Sequence, residues 1–253
     1  MSDVGEGQQR GIDGMLFDYG ETLVEFSRPH QALAEAKMRI RALLTTSGRG
    51  APSAASLGAV FDRVDREVTE HQVSGALDEI DMAAAALRAY GDAGISLDAA
   101  LLDEVLRIEQ EAWWHGAHLD PEAIPLLDDL RARGIRVGIC SNAPYRVQSL
   151  HAQLAFLGLD GHLDAATFSA EVGWRKPSPR IFAAAMEALG TAARRMLMVG
   201  DSESADIAGA HAAGMRAVLI SRSGRRGSSR ADAVIAALRE LPGALRNMGI
   251  YLV

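Results

Sequence analysis

Met196-Leu197-Met198-Val199-Gly200-Asp201-Ser202-Glu203-Ser204-Ala205-Asp206 decides how the rest of the chain is read. The apolar run ahead of Gly200 is that of a strand buried on both faces of a parallel sheet. Helical sequence follows the Gly-Asp pair. Asp201 and Asp206 therefore fall at the carboxyl edge of such a sheet, where open α/β folds bind ligands. Two carboxylates held beside helix-terminal amides suit a hard cation such as Mg²⁺. A strand-end Asp followed by a helix cap is also common without any ion, so this stretch alone leaves both possibilities open.

Three further segments extend the pattern. Met15-Leu16-Phe17 runs into Asp18-Tyr19-Gly20-Glu21-Thr22-Leu23, and Val137-Gly138-Ile139-Cys140 runs into Ser141-Asn142. Trp174-Arg175-Lys176-Pro177-Ser178-Pro179 places a lysine just ahead of a helix opened by proline. Three strand ends and one helix start thus present, in chain order, Asp, Ser, Lys and Asp. These are a nucleophile type, a hydrogen-bond donor for a phosphate oxygen, a cation for phosphate and a metal ligand. Phosphoryl transfer asks for this set, because its catalysis is mostly positioning and charge neutralisation.

In order, spacing and strand context, the four segments resemble the four motifs of the haloacid dehalogenase superfamily of hydrolases, most of which are phosphatases. The resemblance spans about residues 12–241. It implies an α/β fold: a Rossmann-like, doubly wound parallel sheet core with an inserted four-helix cap domain. It implies Asp18 as nucleophile and Ser141, Asn142 and Lys176 around the transferred group. Mg²⁺ would be held by Asp18, the Gly20 carbonyl, Asp201 and Asp206, with pairing to Lys176 as the other role open to Asp206. The implied reaction is hydrolysis of a small phosphorylated metabolite through an aspartyl phosphate.

One departure stands out. Phosphatases of this superfamily usually carry a second Asp two residues after the nucleophile, where it protonates the leaving oxygen and then activates water. Here that position is Gly20. Loss of a positioned acid/base typically costs ~10²–10⁴ in rate, so good leaving groups are expected. Glu21 is either a substitute acid or a surface residue. Three rivals follow from the same departure. One is a catalytically weakened binding or regulatory module. Another is a phosphonate-cleaving enzyme, which would need a cap lysine, for which Lys37 is the candidate. The third is a 2-haloacid dehalogenase, which needs no metal and departs from Gly-Asp in its last motif.

The bulk composition fits this picture. With 253 residues, the chain has a net charge of −7, which argues against nonspecific binding to nucleic acid or an anionic membrane, since either would want a basic face. One cysteine forbids an internal disulfide and suits a reducing compartment. No apolar run is long enough for a membrane span, and residues 1–10 lack a signal-peptide core. They read as a disordered lead-in, and the expected location is cytoplasmic. Lys37 and Lys176 are the only lysines among 26 basic residues. A lysine at the motif position is thus unlike the compositional habit of the chain. Nothing in the sequence speaks to oligomeric state.

Domain organisation is read from periodicity. Residues 11–28 and 116–253 are assigned to the core and 29–115 to the cap, where Leu33, Ala36, Ile40 and Leu44 recur at helical spacing. Cap helices are expected from Pro29, over 53–73, 78–91 and 97–114, with Ser53 and Asp78 as N-caps. In the core, strands are expected over 12–17, 135–140, 163–168, 196–199, 215–220 and 233–235. Helices are expected over 122–133, 145–157, 179–189, 204–213 and 237–241. His115 and His118, among tryptophans, read as a hinge rather than half a metal site. Cys140 reads as inert packing, and Arg222, Arg225, Arg226 and Arg230 as a solvated loop.

Overall fold

The computed structural model describes residues 11–222 and 229–251. The expected lead-in, and Arg225 and Arg226, lie outside the described residues. The chain opens with β1 (Gly14–Phe17) and β2 (Val24–Phe26), then four helices: α1 (His30–Thr46), α2 (Ala54–Val73), α3 (Met82–Asp92) and α4 (Ala99–Trp113). β3 (Ala117–Leu119), α5 (Ala123–Ala132), β4 (Arg136–Ser141), α6 (Val147–Phe156), β5 (Ala165–Phe168), α7 (Ser169–Val172) and α8 (Pro179–Leu189) follow. The chain continues through β6 (Met196–Gly200), α9 (Ala208–Ala212), β7 (Arg216–Ile220), β8 (Ala233–Ile235) and α10 (Leu241–Asn247).

Six strands form one parallel sheet in the order β5-β4-β1-β6-β7-β8. Alternation along the strands supplies two buried faces, because successive side chains point to opposite sides. Met15, Phe17, Val137, Ile139, Leu197 and Val199 join one cluster with α5, α6 and α10. Leu16, Cys140, Met196, Met198, Ala217 and Leu219 join the other with α8 and α9. Counted within this sheet alone, the strand order is 3-2-1-4-5-6, the doubly wound arrangement whose ligand crevice opens where the order reverses, beside β1. Asp18 sits at that point, Ser141 on the strand to one side and Asp201 after the strand on the other.

Helices α1–α4 pack into a separate hydrophobic cluster, built from Leu33, Ala36, Ile40 and Leu44 on α1 and matching stripes on the other three. Ser53 caps α2 through its hydroxyl, which accepts from Ser56 N–H at 3.0 Å. The expected cap at Asp78 is corrected. Asp81 caps α3, accepting from Ala84 N–H at 2.9 Å, while Asp78 forms an antiparallel bridge with Trp174. An aspartate starts the helix in either case, and the tertiary bridge draws the first one away.

Sequence periodicity also missed the two-stranded antiparallel ribbon of β2 and β3, which pairs Val24 with Leu119 and Phe26 with Ala117. Strands of three residues carry too short an alternation to register, and the partners are far apart in sequence. Gly116 is required there, since a Cβ would collide with the Ser27 carbonyl. The last helix lies later than expected: a 3₁₀ turn over Leu238–Glu240 leads into α10. Likewise the helix after Asp201 starts with a π turn over Glu203–Ile207 before α9.

Candidate active site

Lys176 is the hub. Its ammonium donates to Asp18 Oδ1 at 2.6 Å, to Asp206 Oδ1 at 2.6 Å and to the Cys140 carbonyl at 2.7 Å, so all three of its protons are used. The lysine side chain is 2% exposed and the Asp206 side chain 1%. Burial works against the ammonium charge, and the carboxylates of Asp18 and Asp206 outweigh it, holding Lys176 above the ordinary lysine range. Such a buried charge is tolerated only because it is paired on every side.

Backbone geometry fixes each member. Asp18 N–H donates to the Val199 carbonyl at 2.8 Å, so the nucleophile candidate continues the β1–β6 ladder. Asp206 Oδ2 accepts from Ser202 N–H at 3.0 Å, closing the first turn after β6. Its carboxyl lies against Gly200, where a Cβ would clash. Asn142 clasps the lysine loop: its Oδ1 accepts from Lys176 N–H at 2.7 Å and its Nδ2 donates to the Lys176 carbonyl at 3.1 Å. Both ends of the amide thus hold the lysine loop, and one Nδ2 proton is left over at the wall of the two cavities.

Ligand atoms of Asp18, Asp201 and Asp206 all lie within 4.8 Å of one another. Burial, then the charges of Asp18 and Asp206, push the Asp201 carboxyl up to about 6. Three carboxylates against one ammonium leave the cluster two negative charges in excess. An all-oxygen donor set of that charge fits a hard divalent cation.

The site opens into two cavities. One, of about 560 Å³, is lined by Asp18, Ser141, Lys176 and Asp201, together with Gln72 at the end of α2 and Leu77 of the α2–α3 connection. The other, of about 320 Å³, shares Gly20, Ser141 and Asn142 with it and runs toward Trp113 and Tyr145. The four sequence segments therefore do meet at one place. Glu21 does not join them. It is exposed at φ 57° and lines neither cavity. Lys37 stays within the helical cluster, its ammonium 5.4 Å from the Phe61 ring centre, in a pocket with Asp65 and Glu109.

Other expectations fare variously. His118 Nε2 meets Ser27 Oγ at 3.1 Å and His115 packs on Phe156, so the two histidines do not converge. Burial pushes the Cys140 thiol up to about 12, as an inert core cysteine requires. Arg222 is corrected from a solvated loop residue to a brace: it donates to the Thr22 carbonyl at 2.8 Å and pairs with Asp120 at 2.7 Å, pinning the Glu21 turn.

Sequence reasoning missed the strap between the helical cluster and the lysine loop. Glu79 N–H donates to the Gly173 carbonyl at 3.0 Å and Arg175 N–H to the Leu77 carbonyl at 2.7 Å. The Glu79 carboxylate accepts from Ser169 Oγ and pairs with Arg175 at 3.3 Å. A lone Glu in a turn gives no signal of this.

The family model for haloacid dehalogenase-like hydrolases matches residues 12–214, and the chain belongs to that family. A protein named as a phosphatase from Mycobacterium tuberculosis is 34% identical over 156 residues, 61% of this chain and 67% of that one. Other curated relatives are matched over only about two fifths to a half of their length. Two solved structures align over nearly the whole chain. A haloacid dehalogenase-type phosphatase from Thermococcus onnurineus is 26% identical with a TM-score of 0.60, over 96% of this chain and 100% of that one. A 2-haloacid dehalogenase from Pseudomonas syringae is 27% identical with a TM-score of 0.64, over 93% and 99%. Among the described residues no helix is long and apolar enough to cross a membrane.

Proposed function

We propose that this chain is a Mg²⁺-dependent phosphatase of small phosphorylated compounds that works through an aspartyl phosphate on Asp18. The observation that carries it is the acidic trio around Lys176. Asp18, Asp201 and Asp206 are brought within one ion's reach at the switch point of the sheet. A dehalogenase, which needs no metal, has no use for that charge. Relatives named as phosphatases point the same way.

In this reading Asp18, the Gly20 carbonyl and Asp201 would hold Mg²⁺, with Asp206 at its edge. The ion would neutralise charge on the phosphoryl oxygens. Asp18 presents a carboxylate oxygen to phosphorus. Lys176 holds that carboxylate in line and balances the charge that builds beside it. Ser141, on the wall of both cavities, donates to a phosphoryl oxygen. Asn142 keeps the lysine loop in place. Residues 29–115 form a cap over Asp18, and residues 11–28 and 116–253 the core. With Gly20 where the second Asp is usual, the leaving group departs without a carboxylic acid to protonate it.

Phosphate release from a metabolite panel, with Mg²⁺ and with EDTA, tests the proposal. Turnover should vanish in EDTA and in Asp18→Asn, and beryllium fluoride should trap on Asp18. Halide release from a 2-haloacid in EDTA, without phosphate release from any ester, would put the dehalogenase first.

A further inference from the structure

The second cavity beside Asp18 is lined by aromatic rings. Tyr19 and Phe26 come from the core, Trp113 from the end of α4, Trp114 from the turn just after it, and Tyr145 from the loop after β4. Among the described residues its walls contain no Asp, Glu, Lys, Arg or His. Its polar side chains are partly spent within the protein. Gln153 accepts from the Tyr19 hydroxyl at 3.0 Å and Gln110 from Arg146 N–H at 3.1 Å. At about 320 Å³ it has room for a fused ring. Because Gly20, Ser141 and Asn142 border both cavities, a group seated here can be bonded to a phosphoryl group lying against Asp18.

Gly20 ties this cavity to the chemistry. A Cβ at position 20 would lie 3.6 Å from the Phe26 ring, so a side chain there grows toward the aromatic wall. Glycine keeps the cavity uncharged right up to the reacting carboxylate. A leaving group carrying its own carboxylate or ammonium would lose water here and find no counter-charge, which is costly. A flat uncharged ring would stack on the walls instead.

Resting on the phosphatase reading, we propose that the cavity receives an uncharged planar aromatic leaving group, and that the substrates are aryl phosphates. In the first step an Asp18 oxygen bonds to phosphorus and the phosphorus–aryloxy bond breaks, its electron pair leaving with the aryloxide. The aryloxide takes a proton from solvent. Phenols ionise near pH ~10, as the tyrosine side chain does, so departure needs no positioned acid. Water then bonds to phosphorus, the phosphorus–Asp18 bond breaks, and inorganic phosphate leaves. One ester and one water give one phenol and one phosphate.

The test compares 2-naphthyl phosphate, acetyl phosphate, glycerol phosphate and phosphoglycolate on the full chain with Mg²⁺. Acetyl phosphate has a good leaving group but no ring, so it separates activation from recognition. Naphthyl phosphate should show a KM at least tenfold below that of acetyl phosphate. Phe26→Leu and Trp113→Leu should raise the naphthyl KM severalfold more than the acetyl KM. Phe26 is 40% exposed, which keeps that variant foldable if the tryptophan variant is not. Equal or better use of acetyl phosphate and phosphoglycolate overturns the aromatic assignment while leaving the phosphatase reading standing. If nothing is hydrolysed, the phosphatase reading falls. Calorimetric binding of 2-naphthyl phosphate, weakened by Phe26→Leu, then still supports the cavity's preference, and absence of binding overturns it.

Discussion

At the residue scale the two informative positions are a buried cation and a missing side chain. Among the described residues, Lys176 is the sole ammonium facing Asp18 and Asp206, and both bonds are 2.6 Å. Removing one partner of a buried ion pair leaves uncompensated charge and costs about 3–5 kcal/mol. Lys176→Met should therefore lose stability of that order and all turnover. Millimolar Mg²⁺ should restore part of the melting temperature but none of the rate. Gly20 has ordinary van der Waals space for a Cβ, so Gly20→Asp should fold normally. With an acid in place, turnover of alkyl phosphates should rise by about 10²-fold, while the KM for aryl phosphates should rise, because the new carboxylate grows toward the aromatic wall. A rate profile against leaving-group pKa checks this, and an unaltered slope would show that the vacancy is not what limits alkyl esters.

At the element scale, α4 carries a buried acid and the α2–α3 connection carries the strap. Burial, reinforced by the Asp65 charge and only partly opposed by Lys37, pushes the Glu109 carboxyl up to about 8. Arg28, His30 and Asp65 share its pocket. Its folded value lies above its ordinary 4.5, so the folded state keeps a proton that the unfolded state has given up. Its contribution to stability is undiminished below pH 4.5, declines as pH rises toward 8, and is lowest above that. Glu109→Gln should flatten this component and gain on the order of 2–4 kcal/mol over the parent at alkaline pH. Denaturant melts across the pH range read it directly. The Glu79 strap holds the α2–α3 connection against the lysine loop, and its side chain is 2% exposed. Glu79→Ala unpairs Arg175 and should cost about 1–3 kcal/mol. Proteolysis over residues 74–78 should accelerate severalfold, while cleavage elsewhere stays slow. Equal protection in the variant would mean the backbone bridge alone holds the α2–α3 connection.

At the scale of the whole molecule, the parallel sheet collects acids from strands distant in sequence at one point. Their excess negative charge destabilises the metal-free fold, and a cation bound only by the folded state adds stability by mass action. Melting temperature should therefore climb with Mg²⁺ concentration. Asp201→Asn should abolish the climb while raising the metal-free melting temperature, because it removes one of three like charges. A melting curve indifferent to Mg²⁺ would sink the proposed metal site.

The sheet, its edge and the four chemical segments were legible in the chain before folding. Apolar strands that end in Asp, Ser or Gly-Asp are local signals, and a parallel sheet has only one edge where such ends can meet. Periodicity likewise placed the core strands and the stripes of the four inserted helices. The rest was set by packing, where segments far apart touch. Packing drew Asn142 onto the Lys176 backbone, set Asp81 rather than Asp78 as the cap of α3, turned Glu21 outward and made Arg222 a brace. It also gathered Phe26, Trp113 and Tyr145 around one uncharged cavity next to Gly20. None of these has a sequence spacing to betray it, because each depends on the distance between side chains brought together by folding. Local pattern fixes which residues stand at the sheet edge, and packing of the helical insert fixes what they face.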